Sequence, residues 1–166
     1  MFQHFFKLFC LALLFSLNVS SAGAATKMAN FNVTATVGAS CKISAVDLAF
    51  GSYDPSSATP LDQTTTVTVK CTKTTPWEIG LSAGGVGTYI DHREMTGTLL
   101  DKLNYNLYTD SGRTAVWGPV GGGFGSTVSG TGNGSDQSQI VYGRMPIDQY
   151  VTADSYTDII VATVSY

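Results

Sequence analysis

Residues 26–41 read TKMANFNVTATVGASC, and where this stretch finds its sheet partners decides which β-fold the chain can make. Ala29, Phe31, Val33, Ala35 and Val37 are apolar, and Asn30, Asn32, Thr34 and Thr36 between them are polar. Side chains alternate between the two faces of a strand, so this period of two marks a β-strand with one buried face. No turn signal ties it to a neighbour before Gly38, and only Gly38, Ala39 and Ser40 separate it from Cys41. The residues alone leave two readings open. The segment is the first strand of a self-contained sandwich, or its apolar face belongs in another sheet.

Upstream, Lys7 precedes an apolar run from Leu8 to Val19, followed by Ala22 and Ala24 at the spacing of an A-x-A cleavage signal. That pattern predicts a secretory signal peptide over residues 1–25 rather than a transmembrane helix. An N-terminal strand and linker over 26–40 and one domain over 41–166 are expected to follow. No later segment is apolar enough to span a bilayer. Removal of the leader leaves roughly 140 residues, the size of a single domain. It also leaves Cys41 and Cys71, an even pair in an oxidising compartment, which predicts one disulfide; two free thiols or half a metal site is the alternative. Of the nine basic residues Lys7 is lost, while all 12 acidic ones remain. The surviving cations are scattered, so the basic stripe that a nucleic acid needs is missing.

Past residue 40 the pattern is strand and turn. TTTVTVKC (64–71) places Val67, Val69 and Cys71 on one face. WEIGL (77–81) does the same with Trp77, Ile79 and Leu81, and LNYNLY (103–108) with Leu103, Tyr105 and Leu107. IIVATVSY (159–166) aligns Ile160, Ala162, Val164 and Tyr166. Asp54-Pro55, Ser82–Gly87, Asp110-Ser111-Gly112 and Asn133-Gly134 supply turn chemistry. No helical period competes, which points to an antiparallel β-sandwich. Residues 118–137, rich in glycine and serine, read as a flexible loop or loose hairpin; without a lysine they do not form a phosphate-binding loop.

Candidate chemistry is sparse. GLSAG (80–84) matches G-x-S-x-G around Ser82, but the nucleophile elbow needs a strand–turn–helix context, and no helix follows. His92 is the only histidine after the leader. His92-x-Glu94 lacks the P-C-x-x-C partner of zinc deaminases. The run Asp91, His92, Arg93, Glu94 therefore reads as a solvated loop with one internal ion pair. Two carboxylates serving a glycosidase, with no pair that the sequence itself places at the needed distance, or exposed tyrosines with Trp117 forming a carbohydrate-binding surface, are the weaker alternatives.

The motifs also have a characteristic order. A cysteine is followed by LAFGSYDP (48–55), a threonine-rich strand and a second cysteine, then REM (93–95), LNYNLYTD (103–110), VWG (116–118), VYGRMP (141–146) and YTDIIVATVSY (156–166). This order resembles the spore coat protein U domain family, which includes the subunits of archaic chaperone–usher pili. Ala153-Asp154 stands where the family usually has a glycine before the final Tyr-x-Asp. The resemblance implies an all-β fold: an incomplete immunoglobulin-like antiparallel β-sandwich completed by a donor strand from a neighbouring subunit. It implies that Ala29, Phe31, Val33, Ala35 and Val37 form the donor strand, and that Ile160, Ala162, Val164 and Tyr166 line the acceptor groove. The implied partners are identical or related pilin subunits, a periplasmic chaperone and an outer-membrane usher. No cofactor and no enzymatic activity are implied. The implied location is the periplasm and then the cell surface, in adhesion and biofilm formation. A secreted, coat-forming protein of the same fold is the alternative within the family. Burial of Phe31, Val33 and Val37 at roughly 1.5–3 kcal/mol each would contribute about 5–9 kcal/mol to such a joint.

Overall fold

The computed structural model describes residues 23–85 and 89–166; the leader expected over residues 1–25 falls almost wholly outside them. The chain divides into two units, one ending at Ala35 and the other running from Thr36 to Tyr166. In the first, residues 23–35 adopt no regular secondary structure and are exposed throughout. In the second, every regular element is a strand.

These strands are β1 (Cys41–Ala45), β2 (Leu61–Cys71), β3 (Pro76–Leu81), β4 (Arg93–Thr96), β5 (Lys102–Tyr108), β6 (Val128–Thr131), β7 (Gln137–Met145) and β8 (Ala162–Ser165). They form a five-stranded sheet in the order β1-β2-β7-β5-β4 and a three-stranded sheet in the order β6-β3-β8. Every strand pair is antiparallel. The alternation in the sequence explains which faces meet. Val67, Val69 and Cys71 of β2, Leu103 and Leu107 of β5, and Val141 and Met145 of β7 are buried from one side. Trp77, Ile79 and Leu81 of β3 are buried from the other, and all belong to one apolar cluster. Cys41 and Cys71 are register partners across β1 and β2 and are disulfide-bonded, with Cα atoms 4.1 Å apart.

Besides the alternating N-terminal segment, which forms no strand within this chain, two other segments depart from their sequence reading. The 118–137 segment is not a loose connection, because it contains β6, which pairs with β3 from Pro76↔Thr131 to Ile79↔Val128. Gly130 is there for contact: a Cβ at that position would sit 2.4 Å from Trp77 Cζ2. Gly130 looks like flexibility in the sequence and acts as close packing in the fold. The second misreading concerns Arg93. Asp91 and His92 do form an exposed pair, with His92 Nδ1 2.8 Å from Asp91 Oδ1. Arg93 instead opens β4 and is 0% exposed.

Arg93 is buried because its guanidinium has acceptors fixed by both sheets. It donates to the carbonyl of Ser82 at 2.9 Å, Asn106 Oδ1 at 2.6 Å and the Trp117 carbonyl at 2.6 Å. Burial pushes its pKa down to about 10, with Tyr105 and Asp158 opposing the shift, so it keeps its charge at neutral pH. A second clamp joins β2 to β7. Arg144 grips Asp62 through two bonds of 2.8 Å, and Arg113 Nε lies 3.2 Å from the same carboxylate. The hydrogen bonds from Arg144 hold the Asp62 carboxyl below the usual carboxylate range.

Two predictions follow from these clamps. Arg93→Met leaves buried acceptors without a donor and should cost on the order of 3–5 kcal/mol. Arg93→Lys should recover only part of this, since one ammonium cannot span the same acceptors. Urea denaturation of both variants measures it, and an Arg93→Met midpoint equal to wild type refutes the clamp. Because the folded-state pKa of Asp62 is depressed, its stabilisation is complete above the unfolded-state value of about 4 and is lost as pH falls below it. Asp62→Asn should therefore be less stable than wild type at pH 7, with a shallower loss of stability below about pH 4. Parallel acid titrations of the two proteins by circular dichroism test the sign.

Candidate strand-binding cleft

β1 has β2 as its only sheet neighbour, and β8 has β3. Each of these two strands therefore has one edge that no described strand pairs. A cleft of about 440 Å³ takes Ala45, Val46 and Leu48 from the chain leaving β1, and Ile160 and Ala162 from the chain entering β8. Its remaining lining includes Val67, Leu81, Tyr105, Leu107 and Val141, which belong to the buried core of the sandwich. The core is thus reached from outside at this seam. A second cavity of about 590 Å³ shares Leu48, Phe50, Met95 and Tyr156 with the first.

Local hydrogen bonds hold the two walls. Val46 N donates to the Thr66 carbonyl at 3.0 Å, and Thr65 Oγ1 donates to the Val46 carbonyl at 2.7 Å, extending β1 along β2. On the other wall, Ser82 N donates to the Val161 carbonyl at 3.0 Å and Val161 N donates to Ser82 Oγ at 2.9 Å, extending β8 along β3. Tyr105 Oη donates to Asp158 Oδ2 at 2.6 Å, and Gly85 N donates to Asp158 Oδ1 at 2.8 Å. Asp158 in turn pushes the Tyr105 hydroxyl up, adding to the larger effect of burial. Only Asp47 and Asp158 bring charge to a lining that is otherwise apolar or neutral.

Of the four residues expected to line a groove, Ile160 and Ala162 line this cleft. Val164 packs partly buried against the core without lining it. Tyr166 lies one residue beyond β8 and is 59% exposed. The opposite wall, Ala45–Leu48, carries no alternation that would have flagged it. Its role depends on the β1–β2 register. Of the alternating N-terminal residues, Phe31 is 86% exposed and Val33 and Val37 are each 84% exposed.

Two of the residues behind the chemical alternatives have structural tasks, and His92 lies on the surface. The Ser82 hydroxyl accepts from Val161 N, which ties it into the strand edge. His92 stacks on Tyr89 at 4.8 Å and pairs with Asp91. Trp117 is fully buried and donates Nε1–H to the Ile79 carbonyl at 2.9 Å, so it offers no sugar-stacking face. Among the described residues no group of three or more His, Cys, Asp or Glu side chains is placed to hold a metal, and no helix is long and apolar enough to cross a membrane.

Known proteins share this architecture. The fold resembles that of a chain in the crystal structure of the CsuC–CsuE chaperone–tip adhesion subunit pre-assembly complex, from the archaic chaperone–usher Csu pili of Acinetobacter baumannii. The TM-score is 0.57 at 21% identity, and the alignment covers 79% of this chain but only 40% of that one. Protein U of Myxococcus xanthus is 35% identical over 162 residues, covering 89% of each chain. Residues 27–163 match the Spore Coat Protein U domain, a range that takes in the alternating N-terminal segment as well as both walls of the cleft. The chain belongs to the Spore Coat Protein U domain family.

Proposed function

We propose that this protein is a structural subunit that polymerises by strand exchange, as a pilin of the chaperone–usher type. The observation that carries the reading is the seam between β1 and β8, where unpaired edges flank an apolar cleft whose floor is the domain's own core. One missing strand would fill such a seam. It would supply main-chain bonds to the open edges and alternate apolar side chains to the cleft. The chain also carries a segment of that chemistry, with Phe31, Val33 and Val37 exposed at a period of two. A second copy is the natural donor.

The proposed path runs from export to the periplasm, through a chaperone that occupies the cleft, to an outer-membrane usher where the next subunit's residues 29–37 replace it. The structural neighbour's crystal contains a chaperone with a pilus subunit, which supports a chaperone as partner. An apolar seam left open is an aggregation hazard, which gives that chaperone a physical purpose. Adhesion and biofilm formation would be the outcome at the cell surface. The spore-coat description of the family favours a second reading, a secreted coat built by the same strand exchange without a projecting fibre.

The decisive variant is Phe31→Asp, which would bury an unpaired charge in the neighbour's cleft. The exported monomer should keep its circular dichroism and its chaperone, yet fail to extend fibres. Asn32→Asp, on the opposite face, should be much milder. If Phe31→Asp misfolds before assembly, the segment is core to its own domain and the polymer reading fails. A complementary change narrows the cleft from the acceptor side. Ala162→Phe should leave the disulfide-bonded domain folded while reducing binding of a synthetic peptide spanning residues 26–40 by tenfold or more. Unchanged affinity, measured by fluorescence titration, would place the binding site elsewhere.

A further inference from the structure

On the polymer reading above, on which this inference rests, residues 29–37 are held inside a neighbouring subunit. A pull on the fibre then reaches each domain along the backbone of Gly38, Ala39 and Ser40. The first groups it meets are already fastened to the end of β2. Thr72 N donates to the Ser40 carbonyl at 2.9 Å, and Ser40 N donates to Thr72 Oγ1 at 3.2 Å. The next residue, Cys41, is covalently joined to its register partner Cys71.

β1 is poorly built to take that load. It has five residues and one sheet neighbour, and a short edge strand pulled from its end loses its bonds in succession. Its continuation, Ala45–Leu48, is one wall of the cleft, so stripping β1 would also open the joint that holds the preceding subunit's strand. β2 is the opposite case. It has 11 residues, is paired on both sides, and anchors Val67, Val69 and Cys71 in the core.

We infer that the Cys41–Cys71 bridge is a tension shunt. It passes force from the donor segment straight into β2, so a pull on residues 38–40 cannot peel β1 and the adjoining cleft wall Ala45–Leu48 away from β2 end first. Each subunit then keeps its grip on the incoming strand while its own donor strand is under load. Tension still crosses both joints of a subunit, but loading one does not unzip the other.

The test is to stretch fibres of the exported chain in optical tweezers, before and after thiol reduction. Alkylation confirms the reduction, and circular dichroism fixes a temperature at which the reduced subunit stays folded. Bridged fibres should show no lengthening from within a subunit before a joint separates. Reduced fibres should lengthen in increments of up to about 70 Å, the extended length of the roughly 20 residues from Cys41 to the start of β2, and should break at lower force. Fibres of the Cys41→Ala/Cys71→Ala variant should behave like reduced ones. Superimposable force–extension curves would overturn the shunt. If the chain forms no fibres, the polymer reading fails by itself. The shunt is then decided on the monomer, tethered at residues 26 and 166. Stripping of β1 at low force only after reduction supports it, and a reduced monomer that yields in one step at the force of the bridged one overturns it.

Discussion

Backbone amides and carbonyls at a sheet edge must be paired, solvated or covered, and in this protein two edges that face the same apolar seam are not paired within the described chain. The rest of the structure is organised around that deficit. An eight-stranded sandwich normally closes its core by packing one complete sheet on another. Here the three-stranded sheet ends at β8, the five-stranded sheet ends at β1, and core residues such as Val67 and Leu107 floor the opening between them. The extended walls are shaped before anything fills the seam, because Thr65 and Thr66 hold one and Ser82 holds the other.

A core open along one side gives up part of the burial that stabilises an ordinary domain, and covalent and polar cross-links compensate. The disulfide pins the edge strand β1 to β2, closing a loop of about 30 residues worth roughly 3–4 kcal/mol in the chain-entropy model. Arg93 ties β4 to the end of β3, to β5 and to the Trp117 segment. An arginine suits this position because its planar fork serves several fixed acceptors at once and stays charged when buried. Asp62 with Arg144 and Arg113 performs the same task between β2 and β7.

Two of the residues that suggest chemistry in the sequence, Ser82 and Trp117, belong to this framework, while His92 lies on the surface. Ser82 is a strand-edge acceptor, Trp117 is core, and His92 sits beside an exposed carboxylate and an aromatic ring. What the fold leaves available is a cleft of main-chain edges and apolar side chains, suited to holding another strand. The Spore Coat Protein U domain match spans residues 27–163, a range that includes the stretches on which the strand-binding proposal rests, 29–37 and the two ends that wall the cleft.

Much of this architecture was legible in the sequence because strands announce themselves locally. Alternation over 64–71, 77–81 and 103–108 depends only on side-chain direction along an extended backbone, and β2, β3 and β5 occupy those segments. The paired cysteines were legible too, since Cys41 and Cys71 are the two that follow the expected leader and two cysteines have one way to join. What the sequence could not reveal were relations between distant segments. Arg93 sits in a charged run and looks solvated until Ser82, Asn106 and Trp117 converge on it. Gly130 looks flexible until Trp77 lies against it. The Ala45–Leu48 wall has no periodic signal and becomes a wall only through the β1–β2 register and the approach of residues 160–162. Periodicity determines which side of a strand is apolar. Only tertiary packing decides which of those sides stays uncovered, because that depends on how many strands the chain itself can supply.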